Sequence, residues 1–460
     1  MADPHTDPRR DTICAPATAP GEGAVGIVRV SGARAVAIAG QVFTASSGRP
    51  LAEAASHTVH HGRVRDPQGA VLDEVLALVM RAPRSYTAED VVEIQCHGGP
   101  AAVRAILERL LHAGCRMAEP GEFTRRAFVN GRIDLTRAEA VLQVIQARTE
   151  AAGRAAQRQM GGALMDHLQA VTEALRDLAA HEEAAIDFPE EDLEADLPPG
   201  ALKRLTGTRD GLAEAVRRGR TGHLLTEGVR LAIVGRPNVG KSSLLNRLLG
   251  YDRAIVTDTP GTTRDVLEAD LAVDGVRFVL QDTAGIRATG DRVEAEGVAR
   301  SHRAAQGADV VLLVVDGAAG VTAEDEAILA GLDRARLVVA VNKSDLGQLP
   351  VPWPGPQPIP VSALRGDGVD ALREALVRQA VGADAAPLEH AFLLTTRQQH
   401  ALETALEATE RALQGIVSGD YAELVASDLR DALDAVGTVT GETTTDDLLT
   451  RIFEQFCIGK

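Results

Sequence analysis

At 229–234 the run Val-Arg-Leu-Ala-Ile-Val has the apolar, β-branched texture of a buried strand. It leads without a linker into Gly235-Arg-Pro-Asn-Val-Gly240-Lys241-Ser242 and then into the helix-forming Ser-Leu-Leu-Asn-Arg-Leu-Leu. Strand, glycine loop and helix in this order restrict the fold more than any other stretch, because the loop needs both flanks to hold its shape. Glycines let successive backbone N–H groups curl inward, so Asn238, Val239, Gly240, Lys241, Ser242 and Ser243 predict a phosphate cradle at a helix N-terminus. Within it the Lys241 ammonium reaches the β and γ oxygens of a nucleotide, and the Ser242 hydroxyl suits Mg²⁺. From Val229 to about Val381 strand-like and helix-like runs alternate, the pattern of a doubly wound α/β unit.

Further loops follow strand-like runs in that stretch. Asp282-Thr283-Ala284-Gly285 comes after Val-Arg-Phe-Val-Leu, so the Asp282 carboxylate is expected at a strand end facing the metal, with the Gly285 N–H available to the γ-phosphate. Asn342-Lys343-Ser344-Asp345 follows Leu-Val-Val-Ala-Val, and the Asp345 carboxylate can accept both the ring N–H and the exocyclic amine of guanine. Adenine lacks that donor pair, so guanine specificity is expected. Ser362, Ala363 and Leu364 supply the backbone side of the base pocket, and Thr263 is the natural second Mg²⁺ ligand. Ile286 stands where small GTPases often carry a water-orienting glutamine, so hydrolysis needs another group. Asn238 with Thr257, Thr259 and Thr262 offers oxygens suited to a monovalent cation near the β and γ phosphates, which would do the electrostatic work of an arginine finger. The alternative for Asn238 is that it only braces its loop.

A chain of 460 residues exceeds what one core organises. Four segments are expected. Residues 1–126 form an α+β domain, from β-rich runs and an Ala-rich helical stretch after Pro100. Residues 127–222 are helical, with Leu164, Leu168, Val171, Leu175 and Leu178 on one face. Residues 223–381 are the α/β insert, and 382–460 are helical again, with Val425, Leu429, Leu433 and Val436 aligned. The two helical segments are expected to pack as one interrupted domain, since insertion is tolerated where chain ends lie close together. Alternate prolines from Leu349 to Pro360 forbid a helix there.

No apolar run is long enough to span a bilayer, the first residues are polar, and Cys14, Cys96, Cys115 and Cys457 are scattered without CxxC pairs. Together these features point to a cytoplasmic chain without a disulfide framework or zinc site. Acidic residues number 65 against 48 basic, a formal charge of −17 that repels nucleic-acid phosphate unless a local basic patch or another subunit makes the contact.

Taken together, GRPNVGKSSLLN, AIVTDTPGTTRDV, DTAGIR, EEAAIDFPEE at 182–191, PGEFTRRAFVNGRIDL at 120–135, EDVVEIQCHGGP at 89–100 and the terminal Phe456-Cys457-Ile458-Gly459-Lys460 resemble the tRNA-modification GTPase family called MnmE or TrmE. The match covers nearly the whole chain. It implies an N-terminal α+β domain for folate binding and dimerisation, a helical domain, and an inserted Ras-like P-loop G domain. It also implies a homodimer that joins the flavoprotein MnmG (GidA), which brings FAD, in a heterotetramer. The implied product is a carboxymethylaminomethyl or aminomethyl group at C5 of the wobble uridine, position 34, of certain tRNAs. The one-carbon unit comes from a reduced folate, 5-formyl- or 5,10-methylene-tetrahydrofolate.

By the same resemblance Asn238, Thr257, Thr259 and Thr262 surround K⁺, and G domains pair when GTP and potassium bind. Glu294 is the water-orienting residue, filling the gap left by Ile286. Arg29, Glu93, Arg132 and Lys460 hold the folate, with arginine standing at 132 where lysine is expected. A carboxylate can pair with the pterin's amine and ring N–H while cations hold the folate carboxylates. On residue type alone, Arg29 and Arg132 are more often solvated surface charges. Cys457, a candidate catalytic thiol, equally suits packing after Phe456.

Two other readings compete. A ribosome-associated assembly GTPase explains the G motifs but neither the folate-like set nor the terminal CIGK. A folate-dependent one-carbon enzyme with structural GTP leaves Thr263 and Glu294 without a purpose.

Overall fold

The computed structural model describes residues 11–187, 200–251, 270–280, 302–303, 305–346, 355–382, 386–419 and 421–460. The chain divides into two compact units, Met1–Leu142 with Gly437–Lys460, and Gln143–Val436.

In the first unit, β1 (Ile13–Pro16), β2 (Val25–Ser31), β3 (Phe43–Ala45), β4 (Thr58–Arg65), β5 (Val71–Met80), β6 (Val91–His97) and β7 (Arg116–Met117) form a sheet ordered β3-β4-β5-β6-β2-β1-β7. Every neighbouring pair is antiparallel except β1 with β7. Side chains alternate across a pleated strand. Val28 and Val30 of β2, Val92 and Ile94 of β6, and Val75, Ala77 and Val79 of β5 therefore share one core with Ile38 of α1 (Ala35–Val42) and Ile106 and Leu110 of α2 (Pro100–His112). The intervening positions turn the other way, and there Arg29 and Glu93 stand directly opposite each other in the β2–β6 register.

The same unit contains α3 (Glu122–Val129) and the first part of α4 (Leu135–Gln146). Phe128, Leu135 and Ala138 pack with Leu449, Ile452 and Phe453 of the helix Asp446–Phe453, and with Phe456 beyond it. Residues 127–142 and 437–460, assigned from the sequence to the helical segments, close their apolar faces within the first unit. Periodicity reveals an apolar face without revealing what covers it.

In the second unit, α5 (Glu150–Met160), α6 (Ala163–Asp187) and α7 (Ala201–Thr226) precede the insert. Leu164, Leu168, Val171, Leu175 and Leu178 are all buried along α6, as their spacing requires. The insert comprises β8 (Val229–Val234), α8 (Lys241–Tyr251), β9 (Asp270–Val273), β10 (Val276–Leu280), β11 (Val310–Asp316), α9 (Ala323–Ala330), β12 (Leu337–Asn342), β13 (Ile359–Pro360) and α10 (Val369–Val381). Its strands are ordered β13-β12-β11-β8-β10-β9, and only β9 with β10 is antiparallel. Leu231, Ile233, Leu312 and Val314 face a core shared with Leu244 and Leu248 of α8 and Leu372 and Leu376 of α10. Their neighbours Ala232, Val234, Val311, Leu313 and Val315 face a second core with Ile328 and Leu329 of α9. Cover on both faces is why these strands are uninterrupted apolar runs. No helix occupies 355–358 between β12 and β13, while 347–354, with Trp353, lie outside the described residues.

After the insert come α11 (Thr396–Ser418), which packs along α7, and α12 (Ala422–Thr440). The chain returns beside its point of exit. Phe392 N–H donates to the Arg218 carbonyl (3.1 Å), Ala386 N–H donates to the Thr221 hydroxyl (3.1 Å), and the Gln159 amide pairs with both backbone groups of Leu393 (2.8 and 2.9 Å). Close ends of this kind are what an insertion requires.

Candidate functional site

The loop after β8 turns through left-handed backbone at Asn238 (φ +62°) and Gly240 (φ +95°). A Cβ at Gly240 would come within 2.2 Å of Asn342 Nδ2, so glycine is the residue that permits this approach. The buried Asn342 amide donates through Nδ2 to the Val239 carbonyl (2.9 Å) and accepts through Oδ1 from the Ala363 N–H (3.0 Å), tying the phosphate loop to the base loop. Lys343 Nζ donates to the Asn238 carbonyl (3.0 Å) and to Asp316 Oδ2 (2.7 Å). Burial opposes ionisation of Asp316, yet the Lys343 ammonium and the N–H groups of Ala318 and Ala319 hold its carboxyl below the ordinary range.

Lys241 folds into its own loop, with Nζ donating to the carbonyls of Gly235 (2.6 Å) and Arg236 (2.7 Å). Burial pulls its pKa below the ordinary lysine value, and Glu324 opposes the shift. A partly desolvated ammonium at a helix N-terminus suits a polyphosphate, which restores its counter-charge. Asp345 is nearly buried, 7% exposed, and its nearest cation is Arg365, with Nε at 3.8 Å. Ser362 is buried and its hydroxyl accepts from the Arg365 N–H (3.1 Å), while Leu364 is exposed.

The structure thus brings together Asn238, Val239, Gly240, Lys241, Ser242 and Ser243 with Asn342, Lys343, Asp345, Ser362, Ala363 and Leu364. The Asn238 side chain has no hydrogen-bond partner among the described residues; the brace at this position runs through its carbonyl to Lys343. Thr257, Thr259, Thr262, Thr263, Asp282, Thr283, Ala284, Gly285, Ile286 and Glu294 lie outside the described residues.

One brace here was not anticipated from the sequence. Arg236 Nε donates to both carboxylate oxygens of Asp325 (2.9 Å each), which is fully buried and also accepts from the Thr322 N–H in the capping box that starts α9. The spacing Thr322-x-x-Asp325 carries the signal for the cap, though not for the arginine.

A second constellation lies in the first unit. Arg29 Nε donates to Glu93 Oε1 at 2.8 Å, with side chains 15% and 14% exposed, so Arg29 is not a solvated surface charge. Its guanidinium lies 5.5 Å from the Tyr86 ring centroid and 5.6 Å from that of Phe123, and Nη1 donates to the Gly459 carbonyl (3.3 Å). Gly459 has φ +98°, and a Cβ there would meet the Pro16 carbonyl oxygen at 2.0 Å. Ile458 bridges Pro120, the Phe123 N–H donates to the Lys460 carbonyl (3.2 Å), and the Gly121 N–H donates to that of Cys457 (3.4 Å). Burial lowers the Lys460 pKa and Arg29 adds to the shift, while Glu93 and Cys457 oppose it.

Arg29, Glu93 and Lys460 therefore share one site. Arg132 is exposed, donates from Nε to the Ser85 carbonyl (2.6 Å), and borders that site through Tyr86. Burial pushes the Tyr86 phenol up, against its bond to Thr124 and the charges of Arg29 and Arg132. Cys457 is exposed whereas Phe456 is buried, so the thiol is not a packing residue. A carboxylate flanked by cations and aromatic rings fits a flat heterocycle with an amine and ring N–H on one edge and carboxylates at its far end.

The family model described as the MnmE helical domain matches residues 135–457, and that of the GTP-binding protein TrmE N-terminus matches 12–132. The chain belongs to the MnmE family of tRNA-modification GTPases. The tRNA modification GTPase MnmE of Symbiobacterium thermophilum is 48% identical over 457 residues, covering 98% of this chain and 99% of that relative. Those of Syntrophotalea carbinolica and Geobacter sulfurreducens are each 46% identical, with the same coverage. As a member of the MnmE family the chain is a GTP-binding GTP hydrolase of tRNA modification, with a multidomain α/β and α+β fold. No helix among the described residues is long and apolar enough to cross a membrane.

Proposed function

We propose that this MnmE-family GTPase is potassium-dependent and acts as a cytoplasmic homodimer with the flavoprotein MnmG (GidA). Together they add a carboxymethylaminomethyl group at C5 of the wobble uridine, with the carbon taken from a reduced folate. The observation that carries this reading is the tail docked against β1 and β2, which places Lys460 beside the Arg29–Glu93 pair. A ribosome-assembly switch leaves that arrangement without use.

In the nucleotide site Lys241 neutralises phosphate charge, the N–H groups from Asn238 to Ser243 orient the phosphates, and Asp345 reads the guanine edge. Ser242 and Thr263 would hold Mg²⁺, with Asp282 facing it, and the metal would supply charge neutralisation between the β and γ phosphates. Asn238, Thr257, Thr259 and Thr262 would hold K⁺, and Glu294 would orient the attacking water. In the tail site Glu93 accepts from the pterin edge while Arg29 and Lys460, with Arg132 at the border, hold carboxylates. The exposed Cys457 thiol acts in the modification chemistry. FAD enters with MnmG.

Mass spectrometry of wobble uridine from cells lacking this protein should show loss of the modified nucleoside; the modified nucleoside persisting at the parent's level would refute the wobble-uridine role. GTP turnover in matched potassium and sodium buffers tests the cation separately. Equal rates would remove K⁺ from the mechanism. In potassium, Glu294→Ala should lower turnover by about a hundredfold with GTP affinity nearly intact.

A further inference from the structure

Arg247 lies on α8, less than two turns beyond Lys241, in no motif of the nucleotide site. It is half-buried, and its guanidinium reaches the base loop from behind. Nε donates to the Ala363 carbonyl (2.9 Å) and Nη2 to the Leu364 carbonyl. In a planar trans peptide the N–H points opposite to the C=O. Holding the Ala363 carbonyl toward α8 therefore turns the Leu364 N–H to the loop's other side. The neighbouring donors are already used: the Ala363 N–H donates to Asn342 and the Arg365 N–H to the Ser362 hydroxyl. The Leu364 N–H has no partner among the described residues. Asp345 lies beside this loop, with the Ser344 N–H on the Val361 carbonyl and Arg365 3.8 Å from the carboxylate.

We infer that Arg247 is a positioning residue for guanine recognition, clamping the carbonyls of Ala363 and Leu364 so that the Leu364 N–H meets the oxygen of the base while Asp345 meets its two donors. The clamp joins the helix that begins at the phosphates to the loop that reads the base, so each end of the nucleotide reinforces the other. The inference rests on the proposed guanine pocket.

The test uses the full-length protein titrated with GDP, IDP and inorganic tripolyphosphate. Arg247→Ala should weaken GDP by about tenfold and IDP by the same factor, since inosine keeps the base oxygen and lacks only the amine that Asp345 reads. Tripolyphosphate, which has no base, should bind within twofold of the parent. Arg247→Lys should fall between, because lysine keeps the charge but replaces the rigid planar fork, whose Nε and Nη2 reach two carbonyls from fixed positions, with one ammonium nitrogen on a flexible stem. GDP affinity within twofold of the parent in Arg247→Ala would overturn the inference. So would a parallel loss for tripolyphosphate, which marks a general scaffold residue. Asp345→Asn is the control. If it leaves GDP affinity unchanged, the pocket itself is misplaced; if it weakens GDP while Arg247→Ala does not, only the clamp is refuted.

Discussion

Gly459→Ala should separate the folate chemistry from GTP hydrolysis. At φ +98° the residue sits where an L side chain is strained by about 1–2 kcal/mol, and its Cβ would lie 2.0 Å from the Pro16 carbonyl oxygen. That oxygen belongs to the backbone of β1, so the tail must move rather than the neighbour. Opposing the movement are the Arg29-to-Gly459 bond of 3.3 Å and the Phe123-to-Lys460 bond of 3.2 Å. Each contributes about 1 kcal/mol net. Strain plus overlap exceeds that sum, so the last two residues lift off and the Lys460 ammonium leaves the Arg29–Glu93 site. Titration calorimetry with 5-formyl-tetrahydrofolate should show at least a tenfold loss of affinity, with GTP turnover unchanged. Gly48→Ala is the matched control. Its φ is +72° with nothing within 4 Å of the new Cβ, so it carries similar strain without the overlap and should bind folate normally. Folate affinity within twofold of the parent in Gly459→Ala would refute the tail's part in the site.

Lys241 predicts a pH dependence. Burial lowers its pKa below 10.5 in the free protein, and a bound polyphosphate favours the ammonium, so nucleotide binding between the lowered value and 10.5 takes up a proton and weakens as pH rises. Without ligand the same group makes folding stability rise with pH through that window, because the unfolded chain binds the extra proton. Calorimetry in two buffers of different ionisation enthalpy reads the uptake, and identical heats in that range would exclude it. Cys457→Ser should abolish wobble-uridine modification with GTP hydrolysis intact, and survival of both activities would remove the thiol from the chemistry. Asp325→Ala should cost about 3 kcal/mol or more in urea unfolding, since it strips a fully buried partner from Arg236 and removes a helix cap; a loss below about 1 kcal/mol would show that the pair is not a brace.

What could be read from the sequence divides along local and distant interactions. The order of strand, glycine loop and helix at 229–249 encodes its own geometry, because backbone conformation and flanking periodicity are local properties; Gly240, Lys241 and Asn342 meet accordingly. The apolar face of α6 was legible for the same reason. The split at 142 and 437 was not, because Leu135 and Phe453 meet only when distant helices pack. The tail site is the extreme case: Arg29 and Gly459 are 430 positions apart, and nothing in either neighbourhood announces the other. Family resemblance linked Arg29 to the terminal Lys460, and not to Gly459. Arg236–Asp325 and Arg247–Ala363 escaped notice because an arginine on a helix or loop has the same composition whether it points to solvent or to a carbonyl.

The neck formed by α7 and Ala391–Leu394 has an architectural consequence. Hydrogen bonds to the Arg218 carbonyl and the Thr221 hydroxyl, and in both directions with the Gln159 amide, close the bundle across the insert's base without borrowing any residue from β8 through α10. The nucleotide-hydrolysing module is thus a cassette: replacing 227–385 with a short connector leaves those bonds in place and requires no rethreading of the surrounding chain. A protein engineer can exchange it for another domain whose ends lie equally close.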